Sequence, residues 1–254
     1  MSERTSAQKH ESNRVIRKLT ATAMGLIALT SCLPKFSAWS GEGDGPRVAI
    51  VGDSVMNAAE NGPGANSVNT LLTAPLEAEG YRTTKATMIG STTRDLKGLS
   101  NTSTEEGRTS GGVFAPGADI GVSNHGANDA RVSAETGQSA IPLQESIDNL
   151  EDFIRELDVE CFVIVGLPEP NLDEIPTEWG HENFAPQWND YWKQRANNYE
   201  SGAIIVYADW DATIDSMPAE NMQLDGIHPE EAGREKLRTL VIDSVDICAG
   251  AIAG

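Results

Sequence analysis

Apolar residues along this chain fall into two kinds of run, and the two kinds alternate. Short unbroken runs rich in β-branched residues mark buried strands at Val48-Ala49-Ile50-Val51 and Cys161-Phe162-Val163-Ile164-Val165, and residues 118–123 and 203–207 read as two more strands. Residues 81–89 read as a further strand, and their threonines and lysine set it nearer a sheet edge. Between the strands, apolar positions recur at helical spacing. Val68, Leu71, Leu72 and Leu76 form one stripe, bent by Pro75 and stopped by Gly80. A short helix over 93–99 follows. Leu143, Ile147, Leu150, Phe153, Ile154 and Leu157 make the most amphipathic helix, over 142–157, with an acidic outer face. Trp188, Tyr191, Trp192 and Tyr199 share another helical face, and a last helix spans 229–248 with Pro229 in its first turn. The polar, Gly-rich stretch 101–117, around Gly107, and the stretch 167–186 read as long loops.

Strands alternating with helices imply a parallel sheet covered on both faces, with sites at the carboxyl ends of the strands. The residues at those ends are informative. The first strand stops at Gly52-Asp53-Ser54, the second at Gly90-Ser91-Thr92, and the third runs into Asn124-His125-Gly126-Ala127-Asn128-Asp129.

A serine hydroxyl is a poor nucleophile until a histidine removes its proton and a carboxylate orients that histidine. Asp225-Gly226-Ile227-His228-Pro229 offers both on one tight loop: the carboxylate, three residues before the imidazole, accepts from Nδ1 and leaves Nε2 for the serine. His125 competes for the role but has no such carboxylate, and it reads better as structural or substrate-lining. Asp53 reads as a turn brace. Each block also has a plain reading: Gly90 as a strand-ending turn, Asn128-Asp129 as a helix cap, Asp225 as a cap on the final helix. Trp179, Phe184, Trp188 and Trp192 are candidates for stacking on a sugar, with core packing preferred for Trp188 and Trp192 and the loop residue Trp179 left open. His181 has no partner in view. No cluster shows metal-ligand spacing, so no metal and no cofactor are expected.

Taken in order, Gly52-Asp53-Ser54, Gly90, Gly126-Ala127-Asn128-Asp129 and Asp225 with His228 resemble the four blocks of the SGNH (GDSL) hydrolases, serine esterases and lipase-like enzymes. The resemblance spans most of 47–229. It implies an α/β fold of three α/β/α layers with about five parallel strands, the flavodoxin-like SGNH arrangement. It also implies Ser54 as nucleophile, His228 as general base and Asp225 as its partner. The oxyanion hole would be formed by the Ser54 N–H, the Gly90 N–H and the Asn128 side-chain amide.

Charge and the N-terminus narrow the setting. The 254 residues carry a net charge of −19 at pH 7, which argues against nucleic acid as a partner. Five basic residues up to Lys18 precede an apolar run of 11 residues, and Leu29-Thr30-Ser31-Cys32 resembles a lipoprotein processing site. The expectation is a signal peptide over 1–31, lipidation of Cys32, a Ser/Gly/Pro-rich tether over 32–46 and a hydrolase domain over 47–254. The protein would be extracytoplasmic and lipid-anchored, otherwise secreted. An ordinary cleaved signal or an uncleaved anchor, with Cys32 incidental, is the other reading. Cys161 and Cys248 remain, either paired or as buried free thiols.

The expected function is an exported serine ester hydrolase acting through an acyl-enzyme, with O-acyl groups of cell-envelope glycans as one substrate class. Rivals are a lipid or thioester hydrolase or an O-acyltransferase of the same fold, and a non-catalytic carbohydrate-binding lipoprotein. The expected partners are a small-molecule or glycan ester, and a membrane only through the lipid anchor. Nothing in the sequence speaks to oligomeric state.

Overall fold

A computed structural model describes residues 39–61, 72–87, 89–100, 117–132, 136, 138–169, 184–198, 202–223 and 225–254. Cys32, the loop around Gly107, Trp179, His181 and Tyr199 lie outside the described residues.

In chain order the elements are β1 (Arg47–Gly52), α1 (Ser54–Asn61), α2 (Thr73–Ala78), β2 (Arg82–Thr87), α3 (Thr93–Ser100), β3 (Ile120–Ser123) and α4 (Ala127–Ala130). They continue with α5 (Leu143–Leu157), β4 (Cys161–Val165), α6 (Phe184–Asn197), β5 (Ile204–Ala208), α7 (Trp210–Asp215), a 3-10 turn (Ala219–Asn221) and α8 (Glu231–Ala253). The five strands form one parallel sheet in the order β2-β1-β3-β4-β5. The central strands are the buried ones: all of β3 and β4 is buried, and so is β1 beyond Arg47, whereas the apolar run at 203–207 belongs to the edge strand β5, which is only partly buried. Such central strands suit a sheet sandwiched between helices. Helix α8 packs on β4 and β5 and touches α1, while α3, α5 and α6 pack side by side. The amphipathic stripe of α5 is buried as its spacing requires, and Asp158, in the left-handed region at φ 53°, ends the helix.

Because β1 connects outward to β2 while its neighbour β3 connects outward to β4, the chain leaves the carboxyl ends of β1 and β3 in opposite directions and opens a crevice there. That crevice fixes where the site forms.

Several expectations need adjusting. Residues after Ser54, read as merely polar, form α1; the first helical stripe is seen only in its second half, since 62–71 lie outside the described residues. Phe184 to Pro186, assigned to a loop, already belong to α6, and its Phe184, Trp188 and Trp192 are buried. These three rings pack in the core and are not available as sugar platforms. Pro229 stands before α8, not in its first turn, because it pairs with Met222 in an isolated bridge. The stretch expected as a tether is paired from Ser40 on. Ser40 and Thr83 exchange backbone hydrogen bonds, so the free edge of the polar strand β2 is covered. The open question of the two cysteines resolves as a buried disulfide, which ties the start of β4 to α8.

Candidate active site

Ser54 follows β1 directly and opens α1, so its backbone N–H is one of the first-turn donors that a helix leaves without an internal partner. The turn is tight because Gly52 has no side chain: a Cβ there would lie 2.3 Å from the Met56 Cβ and 2.5 Å from Asn124 Oδ1. Ser54 and His228 are 174 positions apart in sequence, and the fold brings His228 Nε2 to 2.8 Å from Ser54 Oγ. Its other nitrogen, Nδ1, lies 2.6 Å from Asp225 Oδ2. The second carboxylate oxygen of Asp225 accepts the backbone N–H groups of Ile227 and His228, each at 3.0 Å. Burial works against the charge of Asp225, but these amides and the imidazole outweigh it and hold the carboxyl below the ordinary aspartate range. The loop that carries the pair is strapped at its base, where Gln223 N–H donates to the His228 carbonyl and Glu230 N–H to the Asn221 carbonyl.

Beneath the serine lies a polar bed with almost no exposure. Asp53 is fully buried. Its Oδ1 accepts from Val55 N–H at 2.9 Å and from Asn124 Nδ2 at 2.7 Å, while its own N–H donates to Asn124 Oδ1 at 3.1 Å. This reciprocal clamp joins the ends of β1 and β3. Burial pushes the Asp53 carboxyl up to about 6, against the lowering effect of the bonds from Val55 and Asn124. The turn-brace reading of Asp53 fits this geometry. Asn124 was named in the sequence only as the head of its strand-end run and given no role; its signal was a second asparagine at the same strand end as Asn128.

Asn128 reaches the same place from α4. Its Nδ2 donates to the Ser91 carbonyl at 3.0 Å and to Asp53 Oδ2 at 3.3 Å. The chain reverses into α4 at Gly126, whose φ of 134° suits glycine alone; a Cβ there would also meet Leu167 and Trp188 at 3.0–3.1 Å. Gly90 sits on an exposed turn at φ 77°, and the following Ser91 is tied to β1 by its hydroxyl, which donates to the Gly52 carbonyl at 3.2 Å. Ser54, Gly90 and Asn128 therefore lie around one crevice, linked through Ser91.

The neighbouring histidine has different surroundings. His125 is 2% exposed, and its two nitrogens face the hydroxyls of Ser91 and Ser123 at 3.1 and 3.0 Å. Burial drives its pKa down to about 4. Asp129 likewise supports structure: it accepts from the Thr93 N–H and hydroxyl at 3.0 and 2.6 Å and from the Ser146 hydroxyl, capping α3 and joining it to α5. Burial raises its pKa in spite of these bonds. No group of three or more His, Cys, Asp or Glu that could hold a metal occurs among the described residues.

Comparison with known proteins identifies the family and the fold. Residues 48–239 match the family model of the GDSL-like lipases/acylhydrolases. The fold is similar to that of an acetylxylan esterase from Geobacillus stearothermophilus, at 20% identity and a TM-score of 0.56, covering 81% of this chain and 96% of that one. It is similar also to a protein described as a GDSL-like lipase from Parabacteroides merdae, at 16% identity and a TM-score of 0.55, covering 82% and 98%. A third, described as an acylhydrolase from Bacteroides fragilis, has 16% identity and a TM-score of 0.53, covering 87% and 94%. No curated protein sequence matches the chain. Because the family match takes in three of every four residues and every block of the crevice, the chain belongs to the GDSL-like lipase/acylhydrolase family, the SGNH-type serine esterases.

Proposed function

We propose that this esterase is exported and lipid-anchored through Cys32, and that it removes short O-acyl groups from cell-envelope glycans through an acyl-enzyme. The observation that carries the chemistry is the relay itself: Asp225 Oδ2, His228 Nδ1, His228 Nε2 and Ser54 Oγ at successive separations of 2.6 and 2.8 Å.

The steps follow from those contacts. Ser54 Oγ attacks the ester carbonyl carbon while its proton passes to His228 Nε2, and Asp225 holds Nδ1–H and balances the imidazolium. The carbon–oxygen bond to the alcohol then breaks, and the departing oxygen takes the proton from Nε2. Water, losing a proton to Nε2, attacks the acyl-serine; the carboxylic acid leaves and Ser54 recovers its hydrogen. The oxyanion of each tetrahedral stage would be met by the Ser54 N–H, the Gly90 N–H and Asn128 Nδ2. Both Asn128 amide hydrogens already have acceptors, so the oxyanion takes over the one held by the longer bond, 3.3 Å to Asp53. The shorter bond to the Ser91 carbonyl keeps the amide in place.

Three features favour the setting. A buried disulfide suits an oxidising compartment. The N-terminal 32 residues have the order of a lipoprotein signal. A protein of similar fold is described as an acetylxylan esterase. The test is a series of p-nitrophenyl esters of increasing acyl length run beside acetylated glycans, with Ser54→Ala as control. Acetate release from glycan and preference for the shortest esters support the proposal; preference for long acyl chains, or acyl transfer to an added glycan in place of water, overturns it. Intact-mass measurement of the membrane fraction checks the anchor, which requires a mature chain beginning at Cys32.

A further inference from the structure

We propose that His125 is a positioning residue of this esterase: its neutral imidazole fixes, through the Ser91 side chain, the turn that presents Gly90 and the amide of Asn128 to the oxyanion. The inference rests on the ester-hydrolase reading of the crevice, and its observations are independent of the Ser54 relay.

Hydrogen-bond accounting gives the chain one direction. The single hydrogen of the Ser91 hydroxyl goes to the Gly52 carbonyl, which can only accept. Ser91 Oγ must therefore receive its other bond, from His125 Nε2–H at 3.1 Å. With the proton on Nε2, Nδ1 carries a lone pair and accepts the Ser123 hydroxyl at 3.0 Å; Ser123 Oγ in turn accepts the His125 backbone N–H at 3.2 Å. All of these groups are buried. The ordered sequence runs from the end of β3 through the imidazole and Ser91 to the end of β1, and it passes under the site without touching Ser54.

Ser91 is the joint. Its side chain is held by His125 and Gly52, and its carbonyl accepts Asn128 Nδ2 at 3.0 Å. If the side chain loses its donor, the peptide after Gly90 gains freedom, and with it the carbonyl that orients Asn128. The ground-state ester makes little use of these donors, whereas the tetrahedral stages depend on them. Loss of the brace should therefore appear in kcat and hardly in KM. The low pKa of His125 agrees with the role, because a proton on Nδ1 would deprive the Ser123 hydroxyl of its acceptor.

Two conservative substitutions separate the two ring nitrogens. In His125→Gln the side-chain amide reaches the position of Nε2 and keeps a donor for Ser91; in His125→Asn the amide reaches only the position of Nδ1 and leaves Ser91 without one. Relative to the unaltered protein with p-nitrophenyl acetate, His125→Asn and Ser91→Ala should each lose about 10- to 100-fold in kcat at nearly constant KM, the order expected when reacting groups are misplaced by a fraction of an ångström to one ångström. His125→Gln should stay within about 3-fold. Because one chain is cut in either case, the double variant Ser91→Ala/His125→Asn should be no slower than the worse single variant. Equal losses in Gln and Asn, losses confined to KM, or fully additive losses overturn the inference. Nitrogen-15 NMR of the imidazole decides the arrangement even if no ester is turned over: a neutral Nε2–H tautomer throughout pH 5–8 is expected, and an Nδ1–H tautomer or a titration in that window overturns it. Absence of turnover by the unaltered protein would instead count against the hydrolase reading itself.

Discussion

Two histidines stand within one crevice, and the chain gives them opposite work. His228 rides on a strapped loop at the rim, partly open to solvent, with a carboxylate 2.6 Å from Nδ1 and the serine hydroxyl 2.8 Å from Nε2. His125 is part of the floor, buried, between two serine hydroxyls. A carboxylate partner lets an imidazole take up a proton and give it back; a pair of hydroxyls in a dry pocket uses both nitrogens and keeps the ring neutral. What separates a base from a brace in this protein is the second partner of the ring, since both histidines contact a serine.

The sharpest way to break that contrast is at the rim. Ser54→Ala and His228→Ala should each lower kcat by about 10⁴- to 10⁶-fold while thermal unfolding stays cooperative, the loss typical when a member of such a relay is removed. A drop of only 10-fold in either variant would mean the 2.8 Å contact is not the reacting one. Asp225→Asn should cost about 10⁴-fold, because an amide can present its N–H to Nδ1 and so stabilise the wrong tautomer. Steady-state kinetics with p-nitrophenyl acetate measures all three. Between rim and floor, Asn128→Ala should lose about 10²- to 10³-fold in kcat, as for one oxyanion donor, with KM little changed. If Asn128→Ala instead raises KM alone, the amide belongs to the floor and not to the reaction.

The rim was legible in the sequence and the floor only in part, Asp53 as a brace and His125 as structural but not their partners, for a physical reason. Strand β1 is an unbroken apolar run that ends in Gly-Asp-Ser, and Asp225 and His228 are three residues apart, so each half of the relay is a local pattern. The parallel sheet was readable for the same reason: β3 and β4 have no polar alternation to hide them. The floor consists of single polar residues, Asp53, Ser91, Ser123, Asn124 and His125; apart from the Ser123–His125 contacts, two positions apart, the bonds that tie them across the strand ends skip 34 to 71 positions. No spacing announces such bonds; they exist only once the β2-β1-β3 order has brought the strand ends together. Helix α1 was missed because its described apolar contacts, Val55 and Met56, are adjacent in sequence and make too short a stripe to show a period. The disulfide depended in the same way on where α8 crosses β4.

The floor carries the last test, which is one of stability and has a sign. Stability rises with pH wherever the unfolded chain binds more protons than the folded one, and falls where it binds fewer. His125 has a folded pKa of about 4 against 6.5 for the free group, so between these values the unfolded chain holds the extra proton. Its contribution therefore grows as pH climbs from about 4 to 6.5. Asp53 is the reverse case: its carboxyl ordinarily titrates at 3.8 but near 6 when buried, so the folded chain holds the extra proton and stability falls over almost the same window. At about 1.4 kcal/mol per pKa unit, each effect is on the order of 3 kcal/mol, and the two oppose one another. Substituting either residue should expose the other. Measured by urea unfolding at pH 4, 5, 6 and 7, the deficit of His125→Gln relative to the unaltered protein should shrink toward pH 4, where the unaltered protein loses its own advantage. The stability of Asp53→Asn relative to the unaltered protein should grow from pH 4 to 6, because the cost of a buried charge has been removed. Three parallel curves would mean that neither group is held as the floor geometry requires, and the contrast between the two histidines would reduce to one of exposure alone.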